Sequence, residues 1–204
     1  MRIAITGSIG SGKSEAGKIL KELGYTVIDT DALAHRTLTK DSDVYASIVN
    51  EYGNKAIGVD GNIDRRFLAD LIFADPQEKK KVEGWMHPVI WRMVDEECEK
   101  HRQEDLVFVE VPLLFETGSQ TRFDRSILIL TTQKTAVARL MRHRKISQAE
   151  ARRRWKSQMD PKLKARFADE VIRNDESTVE LKLNLLKMIE KLKKNTSKGK
   201  HDGT

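Results

Sequence analysis

Short apolar runs alternate with amphipathic stretches along this chain. Residues 2–6 (RIAIT) have a continuous apolar centre, Ile3, Ala4 and Ile5, which is typical of a strand buried on both faces. Runs of the same kind predict four further strands, over residues 25–28, 106–111, 126–130 and 170–172. Because helical patterns lie between these strands, the sequence predicts an α/β protein with a parallel sheet and helices on both of its faces.

The apolar residues between the strands recur at helical spacing. The first helix is predicted over 14–23, and Gly24 marks its end. Residues 32–101 form a predominantly helical block, which we expect to be an insertion in the sheet domain. Turn signals divide this block at Gly53, Asp60-Gly61 and Asp75-Pro76.

Two more helical patterns follow the fourth predicted strand. A long basic helix is predicted over 135–159, with a break at 145–147, where Ser147 can cap a new helix that has Glu150 three residues later. A closing helix is predicted over 181–192. Residues 193–204 (KKNTSKGKHDGT) carry almost no apolar side chains, so we expect a disordered basic tail.

A phosphate-binding loop is the strongest chemical motif. Residues 7–14 read GSIGSGKS and match G-x-x-x-x-G-K-[ST] without a gap, between a predicted strand and a predicted helix. Glycines let successive N–H groups turn inward around a phosphate, and the helix N-terminus adds positive charge. Lys13 can neutralise the β- and γ-phosphates, and the Ser14 hydroxyl can bind Mg²⁺. The expected nucleotide contacts are Gly7, Ser8, Ile9, Gly10, Ser11, Gly12, Lys13, Ser14 and Glu15.

Two aspartates, Asp29 and Asp31, follow the second predicted strand. Ligands of open parallel sheets bind beyond the carboxyl ends of the strands, so a carboxylate here can accept a proton from an attacking hydroxyl or help to hold Mg²⁺. Both residues are equally suited to cap the helix that begins near Ala32. The spacing alone leaves the two uses open.

The composition limits the classes of protein that fit. A chain of 204 residues suits one core domain with insertions. No apolar run approaches the roughly 20 residues that cross a bilayer, and the first residues lack the pattern of a signal peptide. Cys98 is the single cysteine, so no internal disulfide is possible. We therefore expect a cytoplasmic protein with no membrane partner.

The positive charge is concentrated in one stretch. The formal net charge is +6, and residues 139–156 hold eight basic residues against one acid, Glu150. A basic chain favours polyanions, which leaves a nucleic-acid-binding ATPase open as an alternative to a kinase. Aromatic residues that stack on bases are few, at 6% of the chain, so we expect no nucleic-acid partner. The sequence contains no N-K-x-D motif, the guanine-binding signature of a GTP switch.

Five motifs, taken in order, resemble those of dephospho-CoA kinases, and the resemblance extends to about residue 181. Three are continuous: ITGSIGSGKS at 5–14, VIDTDALAH at 27–35 and VPLLFETG at 111–118. The other two are spaced, and they comprise Ile63-Asp64-Arg65, Leu68, Phe73 and His87-Pro88, and then Arg139, Glu150-Ala151, Arg154, Gln158-Met159, Ala168-Asp169, Val171-Ile172 and Asn174. The sequence departs from the family at His143, Glu170 and Arg173.

The resemblance implies a nucleoside monophosphate kinase fold, in which helices cover both faces of a five-stranded parallel sheet (three layers, α/β/α). It also implies a nucleotide-binding core (1–31, 102–138 and 160–192), a helical dephospho-CoA-binding insertion (32–101) and a helical lid (139–159). The expected reaction moves the γ-phosphate of ATP to the ribose 3′-hydroxyl of dephospho-CoA, with Mg²⁺ as cofactor. This is the final step of coenzyme A synthesis.

The resemblance also implies roles for individual residues. Asp31 is the expected catalytic base, and Lys13 and Arg139 are expected to neutralise charge on the transferring group. Further ATP contacts are expected from Arg144 and Asn174. The expected substrate contacts are Asp31, His35, Arg65, His87, Pro112, Leu113, Leu114, Phe115 and Glu116. Because a proline follows it, His87 is expected to have an extended backbone.

Two questions stay open at this stage. A kinase for another small acceptor, such as a nucleoside monophosphate, shares the loop and the lid, although the DTDALAH and PLLFE stretches favour dephospho-CoA. The sequence does not set the oligomeric state, and a monomer is compatible with it.

Overall fold

The computed structural model of the protein describes residues 1–199, with side chains as far as 194. The described chain forms two compact units. One comprises 1–28 and the chain from 101 onward and is called the sheet unit; the other, 29–100, is called the helical unit. The sequence predicts bounds of 32–101 for the helical insertion.

The sheet has five strands in the order β2-β3-β1-β4-β5. They are β1 (Arg2–Thr6), β2 (Thr26–Asp29), β3 (Val107–Glu110), β4 (Arg125–Leu130) and β5 (Glu170–Arg173). The pairs β1–β3, β1–β4 and β4–β5 are parallel, with Ile3 opposite Phe108 and Ile127 opposite Glu170. The predicted α/β class with a five-stranded parallel sheet is confirmed.

The sheet unit contains α1 (Lys13–Glu22), α6 (Gln133–Arg144), α7 (Gln148–Lys156), α8 (Pro161–Phe167) and α9 (Thr178–Gly199). Helices α1 and α9 bury their apolar faces on the same side of the sheet, where Leu20 and Leu185 pack in one cluster with Ile5, Phe108 and Ile127. A smaller cluster joins α6 and α7 through Val137, Leu140 and Ala151. The apolar faces of α1 and α9 thereby cover one face of the sheet.

The helical unit contains α2 (Thr30–Arg36), α3 (Asp43–Tyr52), α4 (Arg65–Ala74) and α5 (Pro76–Lys100). Its core is a separate apolar cluster that includes Val44, Ile48, Leu68 and Val82. Side-chain caps set the helix starts: Ser42 accepts from the N–H of Val44, and Asp64 accepts from those of Arg66 and Phe67.

The predicted break in the long basic helix is present. Lys145 ends α6 in the left-handed region, with φ 52°. Ser147 then accepts a hydrogen bond from the N–H of Glu150 and caps α7. The capping signal in the sequence therefore located the helix start correctly.

Two expectations about the backbone are wrong. His87 is not extended, because His87-Pro88 lies inside the 25-residue helix α5. The proline removes one backbone hydrogen bond from that helix, but Val82, Trp85 and Val89 pack in the core on either side of it and hold the helix together.

The second wrong expectation concerns the end of the closing helix. The closing helix α9 continues to Gly199 rather than ending at residue 192, and lysine is a good helix former that is favoured near a helix C-terminus. The rest of the expected tail, 200–204, lies outside the described residues. Within residues 1–199, no helix is both long and apolar enough to cross a membrane.

Candidate active site

The start of α1, at the end of the loop that follows β1, leaves backbone N–H groups available to an anion. Gly12, with φ 92°, precedes α1 and provides no side-chain cap. The first N–H groups of a helix have no acceptor within the helix, so those of Lys13, Ser14 and Glu15 are directed toward a ligand of opposite charge. This is the anion-binding arrangement that the motif predicts.

Two glycines of this loop, Gly7 and Gly10, are required by close contacts. A Cβ on Gly7 would lie 2.4 Å from Ser11 Oγ and 2.7 Å from the carbonyl oxygen of Ile129. A Cβ on Gly10 would lie 2.8 Å from the carbonyl oxygen of Ala136, and Gly10 also has a positive φ of 77°. Side chains are excluded, so the backbone itself forms the cradle.

The hydroxyls of Ser8 and Ser11 are buried inside the loop and have no hydrogen-bond partner in the described part of the chain. Ser14 is different, because it is exposed in the first turn of α1. Glu15 is half-buried beside it and lies 3.9 Å from Lys18. Of the predicted loop contacts, Ser14 is therefore the side-chain hydroxyl best placed to meet a ligand.

The loop lysine is engaged by a residue that the sequence analysis missed. Lys13 Nζ donates a hydrogen bond of 2.9 Å to Glu110 Oε2, and their side chains are 12% and 6% exposed. Glu110 is the last residue of β3, the strand that pairs with β1. The signal in the sequence was an acid at the end of an otherwise apolar strand, FVEV.

Gly17 makes room for this carboxylate. A Cβ at position 17 would lie 2.0 Å from Glu110 Oε1 and 2.8 Å from its Cδ. Helix α1 thus approaches β3 closely enough for Glu110 to reach Lys13. Glycine is unfavourable inside a helix, and here the close approach explains it.

Arg139 and Asn174, both predicted to contact ATP, lie against the loop. Arg139 Nη1 donates to the carbonyl of Ser11 at 3.2 Å, and Nη2 donates to Asn174 Oδ1 at 3.5 Å. Asn174 is buried and donates its Nδ2 to the same carbonyl of Ser11 at 2.7 Å. A Cβ on Gly12 would lie 2.1 Å from that Nδ2, so these side chains fix the turn of the loop.

The half-buried carboxylate of Asp175, beside Asn174, connects the segments that carry Asn174 and Arg139. Asp175 accepts hydrogen bonds of 2.7 Å from Thr131 Oγ1 and from the N–H of Thr132, which itself caps α6. Burial alone would raise the pKa of Asp175, but these hydrogen bonds outweigh it and lower the pKa. The segment after β5 and the start of the helix that carries Arg139 are thereby held together.

Gln158 is a second residue that the sequence analysis did not assign to the site. Its Oε1 accepts a hydrogen bond of 2.7 Å from the N–H of Ile9, in the middle of the phosphate loop. Gln158 follows α7, at the end of the predicted lid, so it joins that region to the loop. Its position in a family motif was the available signal.

The segment after β3, 112–118, forms successive turns beside the loop. Thr6, which precedes the loop, donates from Oγ1 to the carbonyl of Pro112 at 3.4 Å, and Thr117 Oγ1 donates to that of Leu113 at 2.8 Å. Leu114 and Phe115 are buried, whereas Leu113 is 43% exposed. Of the four apolar residues of this segment predicted to contact substrate, Pro112 is half-buried and Leu113 alone is exposed.

The remaining predicted residue of this segment, Glu116, points to the protein interior. Its Oε1 lies 2.6 Å from Lys164 Nζ, on α8. Among the other predicted ATP contacts, Arg144 is exposed near the end of α6, next to exposed His143.

Asp29 and Asp31 have different environments at the start of the helical unit. Asp29 caps α2 by accepting from the N–H groups of Asp31 at 2.9 Å and Ala32 at 3.3 Å. Asp31 is exposed in the first turn of α2. His35, four residues later and so on the same face, is exposed as well. Capping therefore accounts for Asp29 and leaves the carboxylate of Asp31 accessible.

The two other predicted contacts of the helical unit are also exposed. Arg65 is the first residue of α4, and His87 lies in the middle of α5. Both side chains are accessible to a ligand of this unit.

The donor set suits Mg²⁺ better than a transition metal. The sheet unit supplies the Ser14 hydroxyl and the Glu110 carboxylate, which are hard oxygen ligands. No group of three or more His, Cys, Asp or Glu side chains that could hold a metal was found in the described part of the chain. Mg²⁺ commonly binds through one or two protein oxygens together with substrate phosphates, and the residues present fit that pattern.

Comparisons with known proteins find a matching family model and similar proteins over most of this chain. The family model described as "Dephospho-CoA kinase" matches residues 1–180. A dephospho-CoA kinase from Aquifex aeolicus is 35% identical over 192 residues, which are 94% of this chain and 97% of that protein. A solved structure of dephospho-CoA kinase from Campylobacter jejuni has a TM-score of 0.73 at 29% identity, covering 96% of this chain and 98% of the other.

The fold extends beyond these relatives. A shikimate kinase from Bacteroides thetaiotaomicron has a TM-score of 0.55 at 16% identity, covering 95% of this chain and 98% of the other. At that identity the likeness concerns the fold alone, and it is the fold of a phosphate-loop kinase.

Proposed function

The chain belongs to the dephospho-CoA kinase family, and from that premise we propose that it transfers the γ-phosphate of ATP to the ribose 3′-hydroxyl of dephospho-CoA. The products are coenzyme A and ADP. The observation that carries the proposal is the family match over residues 1–180, which includes the whole phosphate loop. The chain is accordingly an ATP-using phosphotransferase.

The loop and its neighbours bind and orient the triphosphate. The N–H groups at the start of α1 contact phosphate oxygens, and Lys13 moves from Glu110 to the phosphates when ATP binds. Arg139 adds a second positive charge, and its planar guanidinium suits phosphate oxygens. Phosphoryl transfer depends mainly on such positioning and charge neutralisation. We therefore assign most of the rate enhancement to Lys13 and Arg139.

Mg²⁺ is the cation that we assign to this site. Ser14 would hold it directly, and the carboxylate of Glu110, at the end of the neighbouring strand β3, would be available to it once Lys13 has moved to the phosphates. When bound, the cation neutralises charge that develops on the phosphates. Ser14 and Glu110 supply oxygen ligands and no other chemistry.

Asp31 is our candidate for the base. The 3′-oxygen forms a bond to the γ-phosphorus, the bond from that phosphorus to the β,γ-bridging oxygen breaks, and the hydroxyl proton passes to the Asp31 carboxylate. An accessible carboxylate in a fixed helical turn suits this role. Asp29, which is occupied by capping, does not.

We assign acceptor binding to the helical unit and to the segment 112–116. His35, Arg65 and His87 are accessible side chains of the helical unit that can meet the acceptor. Residues 139–159 act as the lid, with Arg144 facing ATP when it closes. We also propose that the enzyme works in the cytoplasm, without nucleic-acid or membrane partners.

A coupled assay of ADP release with ATP and dephospho-CoA tests the proposal, with adenosine and AMP as comparison acceptors. We expect turnover with dephospho-CoA, and product analysis by ³¹P NMR to show a new 3′-phosphomonoester. Equal or faster turnover with AMP would overturn the assignment. Lys13→Ala serves as the control for contaminating kinases, because it should abolish the signal.

A further inference from the structure

The sheet unit contains a charged side chain that the reaction as described does not use. Lys164 is fully buried in α8, and its Nζ lies 2.6 Å from Glu116 Oε1. The ammonium and both carboxylate oxygens are buried, and none of them has a hydrogen-bond partner among the described residues, so the pair is an ionic contact. Among the described residues, each of these two buried charges is therefore compensated by the other.

This ion pair joins two segments that border the active site. Glu116 belongs to the turns that follow β3, next to the phosphate loop. Lys164 belongs to α8, which follows Gln158, the residue bonded to the loop N–H of Ile9. A ring contact between Phe115 and Phe167, with centroids 5.9 Å apart, connects the same two segments.

Stability is a poor explanation for such a pair. Removing two charges from water costs more than their attraction commonly returns, and apolar residues of similar volume often replace a buried ion pair without loss. An ion pair differs from an apolar contact because its two opposite charges, once buried, must stay next to each other. It therefore fixes the conformation of the turn that carries Glu116.

That turn presents a small apolar surface. Leu114 and Phe115 are buried and anchor it, whereas Leu113 is 43% exposed and Phe167, on α8, is 54% exposed. A surface of this kind fits an apolar part of a ligand rather than a phosphate. Dephospho-CoA has such a part in its pantetheine arm.

We propose that Lys164 is a positioning residue for the acceptor: it holds Glu116 so that the turn 112–116 presents Leu113 to the methylene and methyl groups of the acceptor's pantetheine arm. The inference rests on the proposed function, because it assumes that dephospho-CoA is the acceptor. It makes the pair a determinant of acceptor binding and not of ATP binding.

The test compares four variants with the wild-type enzyme. Glu116→Gln and Lys164→Met each remove one charge, and the double variant Lys164→Met/Glu116→Gln removes both, so that no unpaired charge remains buried. Lys162→Met, which changes an exposed lysine two residues away on the same helix, is the matched control. For each we measure Tm, kcat, and the KM values for dephospho-CoA and for ATP.

The expected result is a split between the two substrates. The double variant folds, its KM for dephospho-CoA rises by about tenfold, as the loss of one well-placed contact predicts, and its KM for ATP stays within about twofold. Glu116→Gln shows the same split, and Lys162→Met shows none. Should Lys164→Met fail to fold, the double variant and Glu116→Gln still decide.

Two results would overturn the inference. In the first, the folded variants keep the wild-type KM for dephospho-CoA. In the second, both KM values rise together in proportion to the fall in Tm, which is what a purely structural pair produces. A wild-type enzyme that does not phosphorylate dephospho-CoA would instead refute the proposed function, and this inference with it.

Discussion

Lys13 Nζ and Glu110 Oε2 lie 2.9 Å apart, so the lysine of the phosphate loop is neutralised by a carboxylate of its own chain. In the proposed reaction, ATP must therefore compete with Glu110 for this lysine. Because both side chains are largely buried, that exchange would move a positive charge away from a largely buried carboxylate. Under the proposed assignment of Mg²⁺ to this site, Glu110 would then face the cation, so that one carboxylate takes part in the binding of both ligands.

Gly17→Ala tests how far this pair depends on the close approach of α1. The new Cβ would lie 2.0 Å from Glu110 Oε1, so the carboxylate must move away from Lys13. We expect a loss of about 1–3 kcal/mol in the free energy of unfolding, as for other overpacked sites, and a changed KM for ATP. Urea denaturation and steady-state kinetics measure the two effects.

Gly84→Ala is the matched control, because Gly84 also lies inside a helix but has no atom within 4 Å of its would-be Cβ. We expect this variant to be as stable as the wild type or up to about 1 kcal/mol more stable. If Gly17→Ala behaves like Gly84→Ala, Glu110 does not need the space at position 17.

Asp31→Asn separates chemistry from binding. The amide keeps the size of the side chain but cannot accept the hydroxyl proton, so we expect kcat to fall by about 10²–10⁴-fold, with the Kd for ATP unchanged. Asp29→Ala removes a helix cap instead and should lower stability by about 1 kcal/mol, which Asp29→Asn should largely restore. An Asp31→Asn enzyme with wild-type kcat would remove Asp31 from the mechanism.

Arg139→Ala tests the positive charge that the side chain of Arg139, on α6, brings to the phosphate loop. Because its guanidinium reaches the carbonyl of Ser11, we expect its loss to lower kcat by about 10³-fold, as for other arginines that stabilise phosphoryl transfer. Arg152→Ala removes an exposed arginine of α7 and is expected to leave kcat unchanged. A comparable loss in both variants would indicate a general effect of net charge.

Gln158→Ala tests whether the bond to the N–H of Ile9 shapes the loop. A neutral hydrogen bond contributes about 1 kcal/mol, so we expect the Kd for ATP, measured by calorimetry, to rise by up to about tenfold. Ser157→Ala, in the neighbouring exposed position, should bind ATP as the wild type does. Unchanged affinity in Gln158→Ala would mean that the loop keeps its shape without this contact.

The features that the sequence predicted correctly depend on neighbours along the chain. The phosphate loop is a continuous stretch of eight residues, and the start of α7 follows from Ser147 and Glu150, three residues apart. The apolar runs placed the strands to within one or two residues. The second strand, predicted over 25–28, is Thr26–Asp29 in the structure.

The features that the sequence did not predict depend on contacts between distant residues. Glu110 stands in an apolar strand, and its partner Lys13 is 97 residues away along the chain. Lys164 lies in a basic, polar stretch that favours exposure, yet it is fully buried against Glu116. His87 was misplaced for a related reason, because core packing along α5 outweighs the local preference of a residue before proline.

The carboxylate of Asp169 should make stability depend on pH at the edge of the sheet. It accepts hydrogen bonds from Ser126 N–H at 2.8 Å and Ser126 Oγ at 2.7 Å, with Arg125 at 3.4 Å, and so links β4 to the start of β5. Burial alone would raise the pKa of Asp169, but these contacts outweigh it, and its pKa lies below the ordinary value. A lowered pKa in the folded state adds stability that is complete above the pKa of aspartate in the unfolded chain, about 3.9, and is lost as the pH falls through the folded value.

We therefore expect Asp169→Asn to be less stable than the wild type at pH 6, with the difference shrinking as the pH falls below about 4. Urea denaturation at a series of pH values between these conditions measures the difference. Ser126→Ala keeps the backbone donor and loses the hydroxyl, so its difference from the wild type should change with pH in the same direction but by less. A difference between wild type and Asp169→Asn that is the same at both ends of the range would show that the ionised carboxylate does not hold the edge strand.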